Sequence, residues 1–210
     1  MQLDIYSDIV CPWCYVGKRR LERALAQLNG SAQARITWRP FQLNPTMSSD
    51  GMDRATYLKA KFGSLEAFGQ MEEQLLVAGV AERIPFVFEK IQRTPNTFAA
   101  HRLVWYAEQQ GKQDAMVEAL FRGYFLEGKN IGNVTTLTHV AAEAGLDRTE
   151  TEEFLESEKG VVEVKAEEAV GRRLGIRRVP YFVFNGSISI SGAQPPDMFV
   201  SAIRQAEKQS

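Results

Sequence analysis

Cysteine is nearly absent from this chain: there are two in 210 residues, Cys11 and Cys14. A disulfide between them would close a very small loop and remove little entropy from the unfolded chain. That excludes a fold stapled by disulfides. A basic excess is also missing, since 25 Lys+Arg stand against 26 Asp+Glu for a net charge of -1. Nothing in that balance attracts nucleic-acid phosphates. Only two histidines occur, His101 and His139. Zinc takes four ligands, so a metal site would need both histidines and both cysteines. His139 falls off the apolar stripe of its helix and reads as solvated, so the reading is that no metal is bound. No apolar run approaches the roughly 18 residues of a membrane span. The opening Met1-Gln2-Leu3-Asp4 has no basic region followed by a long apolar stretch, so the expected location is the cytoplasm. What is present is ordinary for a globular protein, with 44% hydrophobic and 24% charged residues.

Periodicity divides the chain. Leu3 to Ser7 alternate as a strand, and Pro12 to Leu28 follow a helical stripe through Leu21, Leu25 and Leu28 that Asn29-Gly30 stops. Ile36, Trp38 and Pro40 mark a second strand. The unit is βαβ, with parallel strands expected. Roughly residues 45 to 160 are mostly helical. Four apolar sets stand out: Leu65, Phe68, Leu75, Leu76 and Val80; Phe98, Ala99, Trp105 and Tyr106; Met116, Leu120, Tyr124 and Phe125; and Val134, Leu137, Ala141 and Ala144. A helix near Val162 to Leu174 then precedes the apolar run Val179 to Phe184, which reads as a buried strand. Asn185-Gly186 signals a tight hairpin with Ser187 to Ser191 returning. A last helix carries Phe199, Ala202, Ile203 and Ala206. The expected fold class is α/β: a four-stranded mixed sheet built from residues 1–44 and 161–210, the thioredoxin arrangement, interrupted by an all-helical insertion over 45–160.

The chemistry concentrates at Cys11-Pro12-Trp13-Cys14, directly after a strand and opening a helix. At the helix N-cap, Cys11 would face unpaired backbone N–H groups and the positive end of the dipole, which favour the thiolate, the attacking species. Pro12 at the first helical position loses nothing by its missing N–H. Cys14, nearly one turn on, is the natural resolving thiol. Inert buried thiols are the bland alternative, but the spacing and context favour redox chemistry. Pro180 is the second singular residue. Proline donates no ladder hydrogen bond, so at the mouth of a central strand it suits either a strand start or a cis Val179–Pro180 bond. Asn96 reads as a cap for the helix that follows. His101 reads as core-facing on the stripe of Phe98 and Trp105, although either residue could also face the dithiol. Lys18-Arg19-Arg20 reads as a solvated helix face.

These segments resemble the DsbA-like thioredoxin superfamily, and within it the FrnE-like branch. The resemblance rests on Asp8-Ile9-Val10-Cys11-Pro12-Trp13-Cys14-Tyr15-Val16-Gly17-Lys18-Arg19, Asn96-Thr97-Phe98-Ala99-Ala100-His101-Arg102-Leu103, Val179 to Phe184, and Ser191-Gly192-Ala193-Gln194-Pro195. It implies a thioredoxin fold with a helical insertion, a dithiol at Cys11 and Cys14, and a cis proline at Pro180 facing them. Pro12 and Trp13 would support the site. Val179, Asn96 and His101 would contact substrate. The expected function is a thiol–disulfide oxidoreductase without metal or organic cofactor, acting on protein or small-thiol disulfides. Glutathione is a candidate co-substrate. Related 2-hydroxychromene-2-carboxylate isomerases and kappa-class glutathione transferases, which typically have serine at the position of Cys11, supply the alternative of a glutathione-dependent isomerase or transferase. A non-catalytic chaperone or peptide-binding module is the third reading.

Overall fold

A computed structural model describes residues 1–28 and 34–209. The expected helix stop at Asn29-Gly30 lies outside these residues. Two compact units are present. One comprises Met1–Leu43 with Lys165–Ser210, and the other Asn44–Val164.

The first unit is built on a sheet of four strands, in the spatial order Arg35–Pro40, Gln2–Ser7, Tyr181–Phe184, Ile188–Ser191. β1 (Gln2–Ser7) pairs in parallel with β2 (Arg35–Pro40), and α1 (Pro12–Gln27) links them. On its other side β1 meets β5 (Tyr181–Phe184) antiparallel, and β5 pairs antiparallel with β6 (Ile188–Ser191). α8 (Val161–Arg173) precedes β5, and α9 (Pro196–Glu207) closes the chain. This is the thioredoxin arrangement expected from the sequence. Strand alternation builds one face of the sheet from Leu3, Ile5, Phe182 and Phe184, all fully buried. Phe199 of α9 joins them, edge to face with Phe182 at 4.7 Å. The opposite face carries Tyr6, packed with Phe41, Ile176, Leu43, Val179, Tyr181 and Val183. α8 comes so close there that a Cβ on Gly171 would lie 2.7 Å from Tyr6 Cε1. Only glycine permits that approach.

The hairpin departs from the expected register by one residue. Asn185 and Gly186 both have positive φ, and Ser187 N–H donates to the Phe184 carbonyl at 3.1 Å, closing a tight turn. Phe184 nevertheless pairs with Ile188, so Ser187 belongs to the turn and not to the returning strand.

The second unit is helical apart from one small ribbon. β3 (Met52–Asp53) pairs with β4 (Arg93–Thr94). The helices wholly within it are α2 (Arg54–Phe62), α3 (Leu65–Ala81), α4 (Phe98–Gln109), α5 (Gln113–Phe125), α6 (Val134–Glu143) and α7 (Arg148–Glu156). On α5, Met116, Leu120, Tyr124 and Phe125 are buried as expected. On α3 the expected stripe is wrong in part. Phe68 and Leu75 are buried, but Leu65, Leu76 and Val80 face solvent. The buried strip runs instead through Phe68, Leu75, Ala78 and Gly79, because Phe86 presses on the backbone at Gly79. On α4 the buried face is Ala100, His101, Leu103, Val104 and Ala107, and Phe98, Trp105 and Tyr106 are half-buried.

Candidate active site

The site begins where β1 ends. After Ser7 the chain turns, and Cys11 N–H donates to the Asp8 carbonyl at 3.0 Å. Asp8 is fully buried, and its Oδ2 accepts from Leu43 N–H at 2.7 Å, tying this turn to the segment after β2. Glu168 of α8 holds that segment from the other side. Its Oε1 accepts from Gln42 N–H at 3.0 Å and from Arg172 Nη2 at 2.7 Å. The turn that delivers the cysteines is thus anchored by buried, satisfied polar contacts.

Cys11 is the N-cap of α1, and Pro12 opens the helix. The Cys11 sulfur makes no cap hydrogen bond. Its thiol instead donates to the Val179 carbonyl, 3.6 Å away. A thiol is a weak donor and a carbonyl satisfies it, whereas the helix N–H groups offer it only further donors. Cys11 retains 7% of its surface, and Cys14 none. Cys11 is therefore less exposed than the sequence reading of an attacking thiol implies, but it remains the more accessible member of the pair. Neither thiol is in a disulfide, and the two are in contact through a side-chain hydrogen bond. Burial pushes the Cys14 thiol well up from its ordinary value, and the bond to Cys11 adds to the rise. Contacts from the Ser7 side chain and the Asp8 backbone act in the opposite direction.

Val179–Pro180 is a cis peptide bond. The Pro180 carbonyl accepts from Gly192 N–H at 2.8 Å, which ties it to the Ser191–Pro195 loop. Pro180 also rests on α1, since a Cβ on Gly17 would lie 3.0 Å from Pro180 Cγ. Cys11, Cys14, Val179 and Pro180 are thereby assembled in the first unit, with Pro12 and Trp13 half-buried beside them. Asn96 and His101 belong to the second unit. Asn96 Oδ1 accepts from Phe98 N–H at 2.8 Å and its amide donates to the Met47 carbonyl at 2.7 Å. His101 is buried on α4.

The basic run on α1 is not a solvated face. Lys18 is buried and paired with Glu22. Arg19 bonds Glu22 at 2.8 Å and lies over the Tyr15 ring. Arg20 donates to the Ala193 carbonyl and so holds the Ser191–Pro195 loop. Sequence reasoning missed Ser7, Asp8 and Gly17 as parts of the site. For Asp8 a signal existed: an acidic residue directly after a strand otherwise headed into the core.

The raised Cys14 value has a consequence for stability. A thiol whose pKa is higher in the folded state contributes fully below its unfolded pKa of about 8.5, and that contribution is lost as pH climbs past it. Thermal melts of the reduced protein between neutral and strongly alkaline pH should fall, and Cys14→Ala should lose less over the same range. Parallel curves would count against this explanation.

A buried dithiol at a helix start, with Cys11 against the Val179 carbonyl just before β5 of this sheet, defines a thioredoxin-type protein. The sequence pattern of the DSBA-like thioredoxin domain matches residues 2–204, and the chain belongs to that family. It is similar to a probable DsbA oxidoreductase of Streptomyces coelicolor, at 34% identity and a TM-score of 0.90, over 100% of this chain and 91% of that one. Two further structures share the fold. A 2-hydroxychromene-2-carboxylate isomerase has 20% identity and a TM-score of 0.75, over 100% and 97% of the two chains. The cytosolic disulfide reductase DsbM of Pseudomonas aeruginosa, solved with GSH, has 16% identity and a TM-score of 0.69, over 99% and 100%.

Proposed function

We propose that this protein is a cytoplasmic thiol–disulfide oxidoreductase. Cys11 attacks a substrate disulfide, a mixed disulfide forms, and Cys14 resolves it. The observation that carries this reading is the pair of thiols in contact at the start of α1, with Cys11 against the Val179 carbonyl. Burial differs between them in the sense the roles require. Pro12, Trp13 and Pro180 shape the site, and Val179 offers its backbone to an extended substrate. The dithiol itself carries the electrons, so the reaction needs no metal or organic cofactor. Protein or small-thiol disulfides are the substrates, and the GSH bound by one structural relative supports glutathione as a co-substrate.

Reduction of insulin by dithiothreitol tests this reading, and catalysis is the expected result. Absence of catalysis with intact glutathione binding would favour a glutathione-dependent isomerase or transferase, for which the fold likeness to 2-hydroxychromene-2-carboxylate isomerase is the supporting observation. Unfolded-protein binding that survives loss of both cysteines would favour a chaperone. The potential of the pair, titrated against glutathione, should lie below the roughly -120 mV of DsbA and nearer the roughly -270 mV of thioredoxin. Trp13 replaces a histidine that helps hold the thiolate in secreted DsbA proteins, so the reduced form is less favoured here. A potential at the DsbA value would contradict this.

A further inference from the structure

β1 ends on a serine hydroxyl that is cut off from solvent. Ser7 is 3% exposed, and among the described residues its Oγ has no protein partner at ordinary hydrogen-bond geometry. Its backbone is in order, with the carbonyl accepting from Phe41 N–H at 3.1 Å. A buried hydroxyl left in this state is a cost to folding, and alanine would fill nearly the same space without it. The group beside it explains why it is there. The Ser7 hydroxyl and the Asp8 backbone both act on the Cys14 sulfur in the sense that favours its anion. In the resting dithiol that sulfur carries a proton and asks little of a donor.

We propose that Ser7 serves the second half of disulfide exchange, its hydroxyl donating a hydrogen bond to the Cys14 sulfur whenever that sulfur is a thiolate. This rests on the dithiol reading given above. In the resolving step Cys14 gives up its proton, and its electron pair attacks Cys11 Sγ. The Cys11–Cys14 bond forms and the bond from Cys11 to the substrate sulfur breaks. The departing sulfur keeps the bonding pair and takes up a proton. Over the two steps one substrate disulfide is reduced to two thiols and the protein dithiol is oxidised to a disulfide. In the reverse direction Cys14 is the leaving sulfur, and the same hydroxyl stabilises it. The titratable side chain that acts on Cys14 is Cys11 across the pair, and Asp8 acts on it through its backbone. Ser7 adds a neutral donor among them. It can therefore stabilise the anion without altering the charge of the site.

The test is stopped-flow reaction of the reduced full chain with dithiobis(nitrobenzoate). The first equivalent of coloured thiolate reports attack by Cys11, and the second reports resolution by Cys14. Ser7→Ala should slow the second phase about tenfold near neutral pH and move its pH midpoint upward. The first phase should be unchanged, and the melting temperature equal or higher, since an unpartnered hydroxyl has been removed. Ser7→Thr, which keeps the hydroxyl, should restore the second phase. An unchanged second phase in Ser7→Ala, or Thr no better than Ala, overturns the proposal and leaves the dithiol reading intact. A wild-type protein that releases no second equivalent removes the dithiol reading, and the proposal with it.

Discussion

Replacing Cys11 by alanine is expected to bring disulfide exchange down to the uncatalysed rate, with the fold retained. The side chain is small and sits at the mouth of the site, where its sulfur makes no cap hydrogen bond to α1. Its loss leaves the Val179 carbonyl without one weak donor, a modest cost beside the loss of the nucleophile. Cys14→Ala should behave differently. The first attack survives, because Cys11 is the accessible thiol, but the mixed disulfide then persists. The pair of variants separates the two roles. A steady-state assay with insulin or glutathione disulfide would read the loss in both, and a single-turnover assay would show a first step only in Cys14→Ala. Equal impairment of the first step in both variants would contradict the assignment.

Gly17→Ala is expected to damage both stability and exchange. Gly17 lies on the buried side of α1, where a Cβ would meet Pro180 Cγ at 3.0 Å, Phe182 Cζ at 3.1 Å and Ala193 Cβ at 3.6 Å. The first two distances are tighter than nearly all packed Cβ contacts, so a neighbour must give way by a few tenths of an ångström, and neither is free to swing away. Phe182 is fully buried against Phe199, and Pro180 is held by the bond from Gly192. Overpacking of this kind costs about 1–3 kcal/mol. For a chain of this size each kcal/mol lowers the melting temperature by about 2–4 °C. The strain falls on the segment that carries the Val179 carbonyl opposite Cys11, so exchange should drop even at temperatures where the variant is fully folded. Gly17→Val should be worse in both respects. A variant with wild-type melting temperature and wild-type exchange would show that α1 and the Pro180 segment can separate without consequence.

The sheet was legible in the sequence because its signals are local. Leu3 and Ile5 alternate with polar neighbours, Tyr181 to Phe184 are apolar in succession, and Phe199, Ala202, Ile203 and Ala206 recur at helical spacing. The cysteine pair was legible for the same reason, since its spacing and the strand before it are contiguous. The failures came where a partner distant in sequence decides burial. Nothing within α3 distinguishes Leu76 from Leu75, and the contact of Phe86 with Gly79 selects the buried side. The short ribbon of β3 and β4 joins residues some forty positions apart, and neither strand is long enough to alternate. The run Lys18-Arg19-Arg20 is the exception, since Glu22 and the Tyr15 ring lie within four residues of Lys18 and Arg19, and only the Ala193 carbonyl that takes up Arg20 is distant in sequence. Ser7, Asp8 and Gly17 were missed because their roles depend on Cys14, Leu43 and Pro180, which only the folded chain brings to them.

The most direct test of the central claim is to trap the covalent intermediate. The reduced Cys14→Ala chain, mixed with glutathione disulfide near neutral pH and digested without reducing agent, should yield one glutathione adduct on the peptide carrying Cys11. Mass spectrometry should find that adduct released by dithiothreitol, and the wild-type chain should instead accumulate the Cys11–Cys14 disulfide. A Cys14→Ala chain that forms no adduct, while Cys11→Ala forms one on Cys14, would contradict the account.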